Sequence, residues 1–342
     1  MFSILDVITI GSATWDVYLK SEDFEIREHS DSPTGVEQCF PLGAKIEVKE
    51  VVFTTGGGGT NAAVTFARQG LKTGCVGVVG DDFNGKEIVK ELNREKVKLF
   101  FNVHKDDSTA YSIILVYPNA ERTILSYKGE GQHFNSDEIK WEKLKAKWFS
   151  LGSLGGNWNL LERAFEYITA RNFKIAFNPG GKELAHGLEK LKPYLAEVDI
   201  FSVNKEEGES LLKSKIQMTN DKMKAEEILK RLSELVKGIV VLTLGPEGVL
   251  VSDKQKIYRA GTPDSPKVER TGAGDAFNSG FVAQIIKQNQ PEAGSWKPEA
   301  VMTSIQFATA NASSVVSQYG PKAGILKKDD WGLWPLVEVQ IL

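Results

Sequence analysis

Cysteine is scarce in this chain. Cys39 and Cys75 are the only two in 342 residues. A disulfide framework is therefore excluded, and a reducing, cytoplasmic compartment is the default expectation. Histidine is nearly as sparse: His29, His104, His133 and His186 lie far apart, and none has a His-x-x-x-His partner. With two lone cysteines, they do not make a zinc site of the common kinds. Long apolar runs are missing too. Gly238-Ile239-Val240-Val241-Leu242 is among the longest, far short of the ~20 residues that cross a bilayer, so no membrane partner is expected. The first residues lack a basic n-region and carry an early Asp6, so they read as a strand rather than a signal peptide. Neither charge sign dominates: 42 basic residues stand against 45 acidic ones, net −3. A broad basic surface for nucleic acid is not expected. No repeat, no low-complexity tract and no Gly-x-x-x-x-Gly-Lys-Ser/Thr occurs, which excludes a Walker-type phosphate loop.

What remains is a globular composition, 41% hydrophobic and 25% charged. The length fits one large α/β domain with an accessory piece, or two ordinary domains. Ile4 to Ile10 reads as a buried strand ending at Gly11-Ser12. Trp15 to Val52 is charged and punctuated by Pro33, Gly35, Pro41 and Gly43. With β-like alternation at Lys45-Ile46-Glu47-Val48-Lys49, it reads as an excursion from the main sheet into a small β-lid. Ala110–Tyr117 and Arg122–Ser126 read as paired strands around a Pro118-Asn119 turn. From Trp148 onward strands (148–151, 174–177, 200–203, 239–244) alternate with helix patterns near 160–171, 206–213, 222–237, 274–287 and 301–317. That order predicts an open, mostly parallel sheet with helices on both faces. Ligands bind beyond the carboxyl ends of such strands. The terminal stretch from Trp331 to Leu342 is apolar enough to dock.

Glycine is the abundant residue, 32 in all, with two tight clusters. The second is Thr271-Gly272-Ala273-Gly274-Asp275, ahead of a helix whose Phe277, Phe281 and Ile285 form an i, i+4, i+8 stripe. Glycines before a helix let N–H groups converge on an anion where the helix dipole is positive. Such a cradle suits the oxygens of a moving phosphoryl group. Asp275, in the first turn, is expected to be ionised there and able to take a proton from an attacking hydroxyl. Spacing alone leaves a base and a helix cap as even readings. The first cluster, Gly56-Gly57-Gly58-Gly59-Thr60-Asn61, precedes a helix pattern that begins at Asn61 and stops at Gly70. It reads as a turn, as an incomplete dinucleotide fingerprint with Ala62 at the third glycine position, or as a loop where sugar hydroxyls approach the backbone.

Taken together, the motifs resemble the ribokinase/PfkB family of small-molecule kinases, from Ile8 to about Ile325. The motifs that carry the likeness are Gly56–Ala63, Gly80-Asp81-Asp82-Phe83-Asn84-Gly85, Asn204-Lys205-Glu206-Glu207, Thr243-Leu244-Gly245-Pro246-Glu247-Gly248 and Thr271–Phe277. The resemblance implies a three-layer α/β/α sandwich with a mostly parallel central sheet, one domain over 1–342, and a β-lid from about 14–52 and 109–126. It implies transfer of the γ-phosphoryl group of ATP to a hydroxymethyl group of a sugar or related polyol. Asp275 would be the base and Gly272, Ala273 and Gly274 the anion hole. Asn204 and Glu207 would hold Mg²⁺ through water, Thr243 and Gly245 the nucleotide, and Asp16, Gly57, Gly58 and Asn61 the acceptor. A homodimer through the lid is the implied assembly.

Some positions depart from the family pattern. Glu269-Arg270 stands where Asp-Thr is common, and the missing aspartate puts the monovalent cation of some members in doubt. Thr14, Gly58 and Gly152 stand where ribokinase itself has Asn, Lys and Glu, so ribose is not assumed. A nucleoside kinase of the same family, with Phe24 or Phe40 stacking on a base, is the nearest alternative. A non-catalytic ligand-binding relative and a nicotinamide-dependent oxidoreductase are the alternatives of other classes.

Overall fold

A computed structural model describes residues 4–32, 35–105, 107–117, 121–213, 223–288 and 296–342. The Pro118-Asn119 turn and the start of the helix pattern at Lys222 lie outside the described residues. The chain opens with β1 (Leu5–Ile10), then leaves the main sheet for β2 (Thr14–Lys20), β3 (Glu25–Glu28), β4 (Val36–Cys39) and β5 (Glu50–Gly56). It returns through α1 (Gly58–Arg68), β6 (Thr73–Gly80), α2 (Phe83–Arg94) and β7 (Lys98–His104), and departs again for β8 (Tyr111–Val116) and β9 (Arg122–Tyr127). The second half alternates: β10 (Ala146–Leu151), α3 (Trp158–Thr169), β11 (Lys174–Phe177), α4 (Gly181–Leu184), α5 (Leu188–Leu195), β12 (Ile200–Asn204), α6 (Lys205–Lys213), α7 (Ala225–Leu235) and β13 (Ile239–Thr243). It ends with β14 (Val249–Ser252), β15 (Ile257–Ala260), α8 (Ala273–Lys287), α9 (Pro298–Val316) and β16 (Val339–Ile341).

Ten strands form the central sheet, in the order β16-β15-β14-β13-β12-β11-β10-β1-β6-β7. From β13 to β7 every neighbouring pair is parallel, and β14, β15 and β16 extend the edge antiparallel. The mostly parallel sheet is as expected. The reason is written in the strands, which are apolar at both parities because both faces are covered. Val7, Trp148, Ala176, Ile200 and Val241 point into one core, with Phe277, Phe281 and Ile285 of α8 and Val301, Ile305 and Ala308 of α9. Their neighbours Ile8, Phe149, Ile175, Phe201 and Val240 point into the other, with Leu160, Leu161, Ala164, Phe165 and Ile168 of α3 and Ile228, Leu229 and Leu232 of α7. The result is helices, sheet, helices: the three-layer sandwich.

A second sheet, β5-β2-β8-β9, is the lid. Strand β2 runs parallel to β8, and the other pairs are antiparallel. Its strands reach Gly56 and Tyr127, beyond the predicted limits of 52 and 126. Lys45–Lys49 is not a strand, despite its alternation. That segment meets β2 only at its end, where Ser21 Oγ donates to the Glu47 carbonyl at 2.6 Å and the Lys49 N–H to the Lys20 carbonyl at 3.0 Å. One lid face is turned toward the body through Asp16 and Tyr18, both buried. The opposite face leaves Val51, Phe53, Leu125 and Tyr127 exposed. The terminal stretch docks as expected: Trp331 packs edge-on against Phe307 with ring centroids 5.5 Å apart, and β16 lengthens the sheet. Among the described residues no helix is long and apolar enough to cross a membrane.

Candidate active site

Both glycine clusters end as helix N-termini that face each other. Helix α1 was predicted to begin at Asn61 but begins at Gly58, so Gly58 and Gly59 form its first turn. The turn after β1 explains the early start. Ser12 Oγ accepts the Gly58 N–H at 3.1 Å, and the Ser12 carbonyl accepts the Gly59 N–H at 3.1 Å. Helix N-termini leave such donors unpaired unless something caps them. Gly57, just before the helix, has φ 95°, and a Cβ there would lie 2.4 Å from the Ser12 carbonyl oxygen. Only glycine meets both conditions.

Helix α8 begins at Ala273, one residue before the expected start. Gly272 is its N-cap, left-handed at φ 81°, with Pro321 so close that a Cβ would sit 2.5 Å from the proline Cβ. Gly274 has open space around it. The first-turn N–H groups of α8 have no intrahelical acceptor, and they point the positive end of the helix at the same space.

Asp275 stands in that first turn. Its Oδ2 accepts a 2.8 Å hydrogen bond from Asn61 Nδ2, across the gap between the two helices. Its Oδ1 is near enough to Gly58 that a Cβ there would come to 3.4 Å. Burial pushes the Asp275 carboxyl above the usual carboxylate range, and the Asn61 hydrogen bond and the Lys322 charge only partly offset this. The shift is opposite in direction to the one expected from a helix end alone, because loss of water on burial favours the neutral carboxyl.

A cavity of about 240 Å³ opens beside this pair; Asp275 lines it, whereas Asn61, Asp16, Gly57, Asn204, Gly272, Ala273 and Gly274 are not among its lining residues. Gly58, Asp275, Ser12, Gly152, Asn178 and Glu207 are among the residues that line it. Glu183 stiffens one wall, with carboxylate oxygens that accept the N–H groups of Leu154 at 3.1 Å and Gly180 at 2.8 Å. Asp16 lies on strand β2 of the lid, not in a turn after a strand. It is buried, accepts the Thr14 hydroxyl at 2.9 Å, and has its carboxyl raised by burial.

Asn204 and Glu207 cap α6 reciprocally. The Glu207 N–H donates to Asn204 Oδ1 at 2.8 Å and the Asn204 N–H to Glu207 Oε2 at 2.9 Å. This capping role of Glu207 coexists with a place in the cavity wall. Burial raises the Glu207 carboxyl. Thr243 sits beside Asn204 in the β12–β13 register, and Gly245 follows with φ 59°. These two also lie outside the cavity lining, at the end of β13 and in the turn after it. Just before the second glycine cluster, Glu269 is buried, with Oε2 accepting the Thr271 N–H at 2.8 Å and Oε1 without a partner among the described residues. Arg270 pairs with Glu121, next to the lid strand β9.

Residues 5–328 match the family model described as pfkB family carbohydrate kinase. The chain belongs to that family. An ATP-dependent 6-phosphofructokinase of Thermoanaerobacterium thermosaccharolyticum is 28% identical over 242 residues, 68% of this chain and 72% of the relative. A nucleoside kinase of Methanothermobacter thermautotrophicus is 23% identical over 322 residues, 94% of this chain and 92% of the relative. In fold, a putative ribokinase II of Escherichia coli, solved in complex with ATP and Mg²⁺, superposes with a TM-score of 0.73 at 17% identity, covering 94% of this chain and 96% of that one. The PfkB membership makes the chain a phosphotransferase acting on an alcohol group.

Sequence reasoning missed three residues that hold this site together: Ser12, Glu183 and Lys322. Ser12 could have been found, because it ends the first strand of an α/β sheet, where ligands gather. Glu183 carries only a local capping signal, the Gly180 N–H three residues before it, and its other partners are 27 to 30 residues away. Lys322 carries none: Thr55, which its Nζ meets, is 267 residues away.

Proposed function

We propose that this PfkB kinase transfers the γ-phosphoryl group of ATP to a hydroxymethyl group of a sugar or related polyol. The observation that carries the reading is the Asn61–Asp275 hydrogen bond, which ties the first turn of α1 to the N-terminus of α8 beside a cavity that Gly58 and Asp275 both line. Asp275 is the base, and Asn61 orients it with one amide hydrogen. Asn61 Oδ1 has no partner among the described residues, so it is available to a sugar hydroxyl. Asp16 accepts two further hydroxyls in charge-assisted hydrogen bonds. Gly57 and Gly58 let the acceptor approach the backbone. Gly272, Ala273 and Gly274 offer N–H groups to the phosphoryl oxygens.

Thr243 and Gly245 hold the nucleotide. Asn204 and Glu207 fit a hard cation held through water, because oxygen donors with retained waters suit Mg²⁺ and the cap uses only one oxygen of Glu207. When bound, Mg²⁺ neutralises phosphate charge. A nucleoside kinase is the second reading, and the coverage of the archaeal nucleoside kinase favours it. Of the proposed stacking residues, Phe24 is buried and meets the exposed Phe40 edge-on, with centroids 5.6 Å apart. We place the enzyme in the cytoplasm, as a homodimer joined through the exposed apolar face of the lid.

An ATP-consumption screen over sugars, sugar phosphates and nucleosides tests the reading, with Asp275→Asn as the blank. Loss of a general base costs ~10²–10⁴-fold in turnover, and ATP binding is expected to survive. Turnover by Asp275→Asn within a few-fold of the parent would sink the assigned role. No turnover on any acceptor, with ligand-induced thermal stabilisation intact, would favour a binding protein.

A further inference from the structure

Lys322 is the only lysine among the buried described residues, 2% exposed. Its backbone is clamped. The Lys322 carbonyl accepts Arg68 Nη1 at 2.8 Å and the Ile325 N–H at 3.2 Å, and Pro321 before it packs against Gly272 of the anion hole. Its Nζ donates to Thr55 Oγ1 at 2.7 Å and lies 3.6 Å from Glu91 Oε2, to which Thr55 also donates. Burying an ammonium is costly unless it is well paired. One carboxylate at 3.6 Å is a loose partner for it.

Burial pulls the Lys322 ammonium below the ordinary lysine range, and Glu91 and then Asp16 of the active site offset part of this. Thr55 precedes Gly56, where a Cβ would collide with the Asp16 carboxylate, and six residues later Asn61 holds Asp275. Around Asp16 stand Thr14, Ser112, Lys322 and Asp275; around Asp275 stand Asn61, Lys322 and Asp16. Tyr18 and Glu269 lie beyond Asp16, and Cys75 lies beside Lys322. Among these groups the two carboxylates repel each other, and Lys322 is the one cation that attracts both.

We propose that Lys322 is a positioning residue for the phosphoryl transfer: its enclosed ammonium, anchored on Thr55 and Glu91, is the fixed counter-charge that lets Asp16 and Asp275 stand ionised side by side. Two carboxylates sharing one site cannot both ionise easily without such a charge. A direct ion pair would occupy their oxygens. A cation one layer back neutralises the repulsion and leaves those oxygens to the acceptor hydroxyls. The functional meaning rests on the reading of Asp275 as base, whereas the electrostatic claim does not.

The test needs no acceptor. The Asp16 and Asp275 carboxyl carbons are followed by ¹³C NMR against pH in the full chain, with signals assigned through Asp16→Asn and Asp275→Asn. In Lys322→Met, of similar length and no charge, both midpoints should move up by about one pH unit or more, a tenfold change in ionised fraction at a given pH below the midpoints. In Lys322→Arg they should return toward the parent. Midpoints that stay put in a folded Lys322→Met protein overturn the proposal. If that variant does not fold, Thr55→Val decides, since it strips the ammonium of its hydroxyl partner. The same upward movement supports the proposal, and unmoved midpoints overturn it. An active Asp275→Asn enzyme would strike the base reading and leave the titration result intact.

Discussion

Asn61 and Asp275 are 214 residues apart in the chain and 2.8 Å apart in space. Their hydrogen bond joins the first turns of two helices from opposite ends of the sequence. A carboxylate held by one amide hydrogen keeps its second oxygen for a proton.

Asn61→Ala should therefore lower kcat/KM more than it lowers stability. A hydrogen bond to a charged group is worth ~1.5–3 kcal/mol, which is about 10- to 150-fold in rate. Steady-state kinetics beside thermal melting separate the two. An equal loss in both would make Asn61 a folding residue only.

The adjacent glycines should behave in opposite ways. Gly57→Ala puts a side chain at φ 95° and against the Ser12 carbonyl, at a cost of about 1–3 kcal/mol or more in chemical denaturation. Gly58→Ala lies in regular helix, so its melting temperature should stay close to the parent. Its methyl would meet Asp275 Oδ1 at 3.4 Å, so a higher acceptor KM is expected.

A pH dependence should trace to His104. Both ring nitrogens are held, Nδ1 by Glu130 and Nε2 by Glu138, each at 2.6 Å. Burial by itself would lower the His104 pKa, but the two carboxylate hydrogen bonds outweigh it and raise the value above 6.5. A pKa raised on folding means stabilisation that is complete below about 6.5 and lost as pH rises through the folded value. His104→Gln should thus melt earlier than the parent at pH 6, and the gap should narrow as the pH rises. A gap that widens with pH would reverse the assignment.

The outer face of the lid offers a fourth measurement. Phe53→Asp places a charge on an apolar face that is exposed in the single chain. If that face joins two copies, sedimentation should change from dimer to monomer while melting at fixed concentration falls. An unchanged dimer would move the interface elsewhere.

Much of the architecture was legible because the alternating apolar strands and helix patterns have local causes. The parallel sheet, the stripe on α8 and the docking of the terminal stretch all follow from spacing. The lid was legible as a departure from that spacing, but its edges were not. Lys45–Lys49 alternates like a strand and lacks a partner strand to pair with. The start of α1 was misjudged because Ser12, 46 residues before Gly58, supplies the cap. Of the site, the glycine loops were legible and the charge balance was not: burial raises Asp275, and the ammonium that answers it arrives from the far end of the chain.

The wall braced by Glu183 has one further consequence. Gly180 cannot gain a side chain, because a Cβ would meet Ser153 Oγ at 2.3 Å, whereas at Gly152 the nearest atoms are 3.9 Å away. The chamber has a stiff side and one vacant peg-hole. On the proposed reading, a side chain at Gly152 would narrow the room for an acceptor and leave helix α8 and the lid sheet as they are.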